Sequence, residues 1–220
     1  MLDKYFSTRL EIKTNILKNN IDYLRTKIAK NTEIIAVLKA NAYGFGDIML
    51  AKKILKHGIK NIAVADFEEG IRLRKNGINS SIMIMYPGFN NLEPIISNNL
   101  EPTIYSLEML DNLIFIANKY KKKIFFHLKV DTGMSRYGFL QVEIEEAIQK
   151  IRMQKNLKIK TIFSHFSSSK SKEHVSFTKG QIEKFIIIKK IFEDRFSYKI
   201  KSHISNSHGL LNYKNENFDM

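Results

Sequence analysis

Ala36-Val37-Leu38-Lys39-Ala40-Asn41-Ala42-Tyr43-Gly44-Phe45-Gly46 carries an apolar strand straight into a lysine, then into a loop with one aromatic hydroxyl and two glycines. A lysine at the carboxyl end of a buried strand is costly to leave unpaired, because desolvation penalises its charge. Desolvation also favours the neutral, nucleophilic amine, which suits a group that attacks a carbonyl or holds one as a Schiff base. Tyr43 and the flexible backbone of Gly44 and Gly46 offer a place for an anion such as a phosphate. The combination points to a pyridoxal phosphate (PLP) site, with Lys39 on the aldehyde and the loop near the phosphate. A bare Lys-Ala-Asn would read only as a strand end with a snorkelling lysine.

Working outward, short apolar runs alternate with longer segments of helical period. Strands are expected at 34–39, 61–66, 81–86, 102–105, 124–130, 161–164 and 199–203. Helices are expected at 13–29, 48–57, 67–76, 107–119, 142–154 and 179–195. That alternation implies parallel strands joined by right-handed crossovers. Polar or unusual residues follow nearly every strand: Lys39, Asp66, Tyr86-Pro87-Gly88, Ser106, Asp131, His165 and Asn206-Ser207. Chemistry crowded at strand carboxyl ends fits an α/β fold of the (β/α)8 TIM-barrel type better than an open sheet. Seven strands can be counted, and Met220 falls where an eighth would begin. The expectation is one incomplete barrel domain over 1–220, with unpaired edges between the first and seventh strands.

Composition narrows the class. At 220 residues, 44% hydrophobic and with three prolines, the chain has enough apolar material for one substantial core. No run of about 18 apolar residues occurs, and Met1 to Ser7 lacks the apolar region of a signal peptide. The absence of cysteine excludes disulfides and thiolate sites. A cytoplasmic protein without membrane contact is the simplest expectation. The net charge of +14 is scattered, its only tight run being Lys121-Lys122-Lys123 at a helix end. It therefore reads as attraction for an anionic small molecule, with no nucleic-acid partner. His57, His174 and His208 have no metal-ligand spacing, so no metal is expected. Glu68-Glu69 and Glu143, Glu145 and Glu146 read as solvated helix faces.

Three further stretches carry chemistry. His127-Leu128-Lys129-Val130-Asp131-Thr132-Gly133-Met134-Ser135-Arg136-Tyr137-Gly138 runs a strand into a glycine-containing loop that presents Arg136. Its guanidinium fork can hydrogen-bond the phenolic oxygen of PLP and favour the anionic form. Phe163-Ser164-His165-Phe166-Ser167-Ser168 places a histidine at the sixth strand's exit. His203-Ile204-Ser205-Asn206-Ser207 ends the seventh strand, where the Ser207 hydroxyl and N–H suit a phosphate. Each of these, taken singly, reads as an ordinary loop arginine, structural histidine or Ser/Asn turn.

Together the four stretches resemble the alanine racemases, over essentially Thr8 to Met220. The first matches that family's A-V-x-K-A-N-A-Y-G-H-G, with Phe45 in place of histidine. The second matches K-x-D-T-G-M-x-R-x-G, and the last matches H-x-A-N-S with Ser205 in place of alanine. After His165 the serine- and lysine-rich run from Ser167 to Lys172 departs from the family's alanine and acidic residue. The resemblance implies a PLP-dependent isomerase that interconverts L- and D-alanine, supplying D-alanine for peptidoglycan. It implies Lys39 as catalytic base and cofactor lysine, with Tyr43, Arg136, His165, Asn206 and Ser207 as cofactor contacts. Lys129 would orient Arg136, carbamylated in some members, and His203 would support an arginine beyond Met220. It also implies a homodimer whose second domain supplies the opposing tyrosine base, and this chain holds neither that domain nor the family's arginine-proline-glycine strand. The expectation is therefore a racemase barrel weakly active or inactive alone. Two alternatives stand beside it: a non-catalytic PLP-binding barrel, or a remnant of a split racemase gene.

Overall fold

A computed structural model describes residues 10–214 and 218–220. Met1 to Ser7, read above for a leader, lies outside the described residues. The elements run α1 (Thr14–Arg25), β1 (Ile35–Val37), α2 (Lys39–Tyr43), α3 (Asp47–Lys56), β2 (Asn61–Val64), α4 (Phe67–Lys75), β3 (Ser81–Ile84), α5 (Leu92–Ser97) and β4 (Glu101–Ile104). Then follow α6 (Leu107–Tyr120), β5 (Ile124–Lys129), α7 (Ile144–Arg152), β6 (Leu157–Phe163), α8 (Val175–Arg195), β7 (Lys201–His203) and α9 (Ser207–Asn212). All seven strands are parallel and pair in sequence order, β1 through β7.

The sheet curls on itself. Alternate residues of the central strands, Ile62, Val64, Ile82, Ile84, Phe126 and Leu128, are fully buried in cores that include helix residues. The opposite set turns inward, where Ala63, Met83 and Phe163 from β2, β3 and β6 share one small cluster. Much of the interior is polar instead of the bulky branched filling usual in such barrels. Lys160 of β6 reaches across to Glu101 Oε1 at 2.6 Å and Ser81 Oγ at 2.7 Å, on β4 and β3. Lys201 of β7 pairs with Glu33, just before β1.

Several expectations need correcting. The first strand is short and half-buried, with Val37 exposed, not the buried strand expected over 34–39. β6 starts at Leu157, four residues before the expected 161. Helices α5 and α9 had no counterpart in the reading, because six-residue helices show too few turns for a periodic signal. Asp66 and Ser106 are helix N-caps, accepting from the Glu69 and Met109 N–H groups. The edge between β7 and β1 is partly covered. Asp219 donates its N–H to Ser202 O at 3.0 Å, and its own carbonyl accepts from Glu33 at 2.9 Å.

Candidate active site

Lys39 opens α2, and the handedness of that turn is reversed. Ala40, Asn41, Ala42 and Tyr43 hold φ of 53°, 53°, 53° and 56°. Left-handed backbone costs an L-residue roughly 1–2 kcal/mol, so four in succession persist only where the surroundings over-determine them. Here Leu38 N–H is anchored on Ala63 O at 2.8 Å, and Ala42 N–H returns to Leu38 O at 2.8 Å. Gly44, at φ 89°, closes the turn where a side chain would be strained. Gly44 and Gly46 donate their N–H groups to Ala40 and Asn41 carbonyls at 3.0 and 2.9 Å. The loop expected to be flexible and open to a phosphate is thus a stiff turn whose glycine donors are already engaged.

A cavity of about 430 Å³ extends from Glu33 and Ile34, just before β1, to residues that follow the strands, among them Lys39, Tyr43, His165, Asn206 and Ser207, with His203 also on its lining. That size lies within the roughly 300–1,000 Å³ typical of small-molecule sites. Its apolar wall is the Ala63, Met83 and Phe163 cluster. A larger space of about 690 Å³, lined by Arg25, Lys30, Glu33 and Lys60, contains none of the candidate residues.

Arg136 and Lys129 lie beside the cavity without lining it. The loop carrying Arg136 is pinched shut by Asp131 N–H to Phe139 O at 3.0 Å and Phe139 N–H to Lys129 O at 2.9 Å. Asp131 Oδ1 accepts from the Gly133 and Ser135 N–H groups, an Asx turn that stiffens the loop. Lys129 is buried, and burial followed by the Arg136 charge holds its ammonium pKa below the usual range. His165 is pushed down to about 4, by burial first and then by the charges of Lys129, Arg136 and Lys39. His165 is therefore a neutral imidazole among basic neighbours.

His203 stacks on Phe163 at 4.9 Å between ring centroids and lies 3.2 Å from Thr161 Oγ1. Burial and the neighbouring histidines His127 and His165 push it down to about 3. From Thr161 the polar chain continues to His127 Nδ1 at 2.8 Å, and from His127 Nε2 to Glu101 at 3.0 Å. Asn206 is committed structurally: its Oδ1 accepts from Gly209 N–H and Ser169 Oγ, and its Nδ2 donates to Phe166 O. It caps α9, which leaves Ser207 exposed at the first turn.

Two residues were missed. Glu69, expected on a solvated face, accepts from Ala40 N–H at 2.6 Å and Ala65 N–H at 2.8 Å. Its signal was present as Asp66-x-x-Glu69, the spacing of a capping box. Buried Gln181 of α8 donates to His165 O at 3.1 Å and accepts from Ser167 N–H at 3.1 Å. A polar residue within an apolar helical face was the available clue.

The family model described as "Alanine racemase, N-terminal domain" matches residues 12–220. The chain belongs to this family. Among curated alanine racemases, that of Methanococcus maripaludis is 36% identical over 165 residues, covering 74% of this chain and 44% of its own length. That of Clostridium perfringens SM101 is 39% identical over 167 residues, covering 74% and 42%. The solved alanine racemase of Clostridium difficile 630 superposes with a TM-score of 0.87 at 27% identity, covering 94% of this chain and 54% of that one. The solved alanine racemase from E.faecalis gives 0.85 at 28%, covering 95% and 56%. The chain thus spans less than half the length of the curated alanine racemases it matches. Within the alanine racemase motif, Phe45 is half exposed at the rim of the reversed turn.

Proposed function

We propose that this chain is the PLP-binding barrel of an alanine racemase acting on L- and D-alanine, with Lys39 as the cofactor lysine. The observation that carries the reading is the gathering of Lys39, Tyr43, His165, His203, Asn206 and Ser207 around one cavity. A cavity with an amine on its lining and basic neighbours beside it fits an anionic aromatic aldehyde. When bound, PLP supplies an electron-poor ring that stabilises the charge left at the substrate α-carbon.

The chain's own groups then take distinct tasks. Lys39 Nζ would hold the cofactor aldehyde and would give or take a proton at the substrate α-carbon on one face. Arg136 would donate to the phenolic oxygen, and Lys129 would set its position. The lowered pKa of Lys129 favours the neutral amine that carbamylation requires. His165 packs as a neutral ring, adding no further charge. Ser207 and Tyr43 would serve the phosphate end, with Asn206 acting through the α9 cap. Supply of D-alanine for peptidoglycan, homodimerisation and a cytoplasmic setting belong to the same proposal; among the described residues no helix is long and apolar enough to cross a membrane.

The test is reductive trapping with borohydride after PLP addition, comparing the chain with Lys39→Ala and mapping the label by mass spectrometry. Label on Lys39 in wild type alone is expected. A label elsewhere, or none, would sink the reading. Alanine exchange at the α-carbon in deuterated water, lost in Lys39→Ala, would count against a non-catalytic PLP barrel.

A further inference from the structure

We infer that Glu69 is a positioning residue for Lys39, holding the amine's working orientation by gripping the Lys39–Ala40 peptide. This rests on the reading of Lys39 as the PLP lysine. The two carboxylate oxygens serve two different loops. Oε2 accepts from Ala65 N–H at 2.8 Å, just after β2, and belongs to the capping of α4 with Asp66. Oε1 reaches across to Ala40 N–H at 2.6 Å, in the loop after β1. The cap of α4 would be complete without that second reach, so it serves the neighbouring turn.

The geometry explains why the turn needs it. Ala40 N–H is the first donor of the reversed turn, where no acceptor of the turn itself can lie behind it. A carboxylate there makes a short, charge-assisted bond. Because Ala40 N–H and Lys39 C=O share one rigid plane, fixing the first fixes the second. On the other side of Lys39, Leu38 C=O, coplanar with Lys39 N–H, accepts from Ala42 N–H at 2.8 Å. The backbone of Lys39 is therefore clamped before and after its Cα, which sets the direction in which its four-carbon stem leaves.

Helix α4 also holds the far end of the same turn. Arg72, three residues after Glu69 and on the same helical face, donates from Nη2 to Asp47 Oδ2 at 2.5 Å. Asp47, the first residue of α3, donates its N–H to Asn41 Oδ1 at 3.1 Å. One helix thus braces the strained turn at its entry through Glu69 and at its exit through Arg72 and Asp47.

The experiment compares Glu69→Gln and Glu69→Ala with wild type, taking exposed Glu68→Ala as control. Gln keeps the size and one acceptor oxygen, so it serves should Ala fail to fold. Three quantities are read: amide exchange at Ala40 in the PLP-free chain, the rate of PLP trapping at Lys39, and thermal stability. In Glu69→Gln the expectation is Ala40 exchange about tenfold faster and trapping about tenfold slower, from loss of one charge-assisted bond. Exchange in the β2–β6 strands and the control should match wild type, which a general loosening of the fold would not leave unmoved. Unchanged Ala40 exchange, or unchanged trapping, in Glu69→Gln overturns the inference. Should wild type itself trap no PLP, the functional reading fails, and Ala40 exchange alone decides the clamp: a tenfold rise supports it and no rise overturns it.

Discussion

Gly138 shows how a single position can govern the site from a distance. It sits at φ 140°, and a Cβ there would lie 2.6 Å from Asp131 N and 2.7 Å from Val130 C. Those are backbone atoms of the pinched loop that presents Arg136, so they cannot step aside as a side-chain tip can. Gly138→Ala is expected to cost about 3 kcal/mol, from strain and overpacking together. Urea unfolding would show it as a lower midpoint, with weaker PLP binding in whatever fraction stays folded. A wild-type midpoint would mean that the loop is softer than its hydrogen bonds imply. Glu69 belongs to the same scale. Its type and spacing were visible in the chain, but the partner that gives it meaning lies 29 residues away.

Helix α4 is the element on which the reversed turn leans, and it packs unusually close. A Cβ on Gly70 would meet Ile84 Cδ1 at 2.7 Å and Leu100 Cδ1 at 2.9 Å. Both neighbours are buried, which denies them easy relief. Alanine improves helix propensity by about 1 kcal/mol, whereas overpacking costs about 1–3 kcal/mol. Gly70→Ala should therefore destabilise by about 1 kcal/mol, and adding Ile84→Val should restore part of the loss. Denaturation of the single and double variants reads this directly, and a more stable Gly70→Ala would show that propensity wins. At this scale most of the sequence reading was sound. The strands with alternating or continuous apolar runs were visible because their outward faces feed the helical layer. The six-residue helices α5 and α9 were not, since their formation rests on packing and caps.

For the whole molecule, the polar interior makes stability depend on pH in a definite direction. Glu101 is held down to about 2; burial alone would raise it, but hydrogen bonds and charge from His127 and Lys160 prevail. Its contribution is full above pH 4.5 and is lost as pH falls toward 2. His127 is lowered by burial, while His165 and His203 sit at about 4 and about 3. Unfolding returns each to about 6.5, so the unfolded chain binds more protons below that value. Stability should therefore fall continuously from pH 6.5 downward, steepening below 4.5. Thermal unfolding at pH 7, 5.5 and 4 measures the trend, and a flat profile between 7 and 5.5 would contradict it.

The chain by itself determined the alternation of strands and helices, the barrel class, and the lysine that anchors the proposed chemistry. Those follow from local pattern: apolar periodicity, turn residues, and a long motif whose residues are neighbours in sequence. Only the tertiary structure decided that the Lys39 loop is a left-handed turn, that its glycine donors are spent, and that Glu69 holds it. It alone brought Lys39, Tyr43, His165 and His203 to one cavity, and it showed that Asn206, on the same lining, also caps α9. The physical reason is common to all of these. Backbone strain, burial and charge are properties of surroundings, and the residues that form those surroundings arrive from strands far apart in the chain.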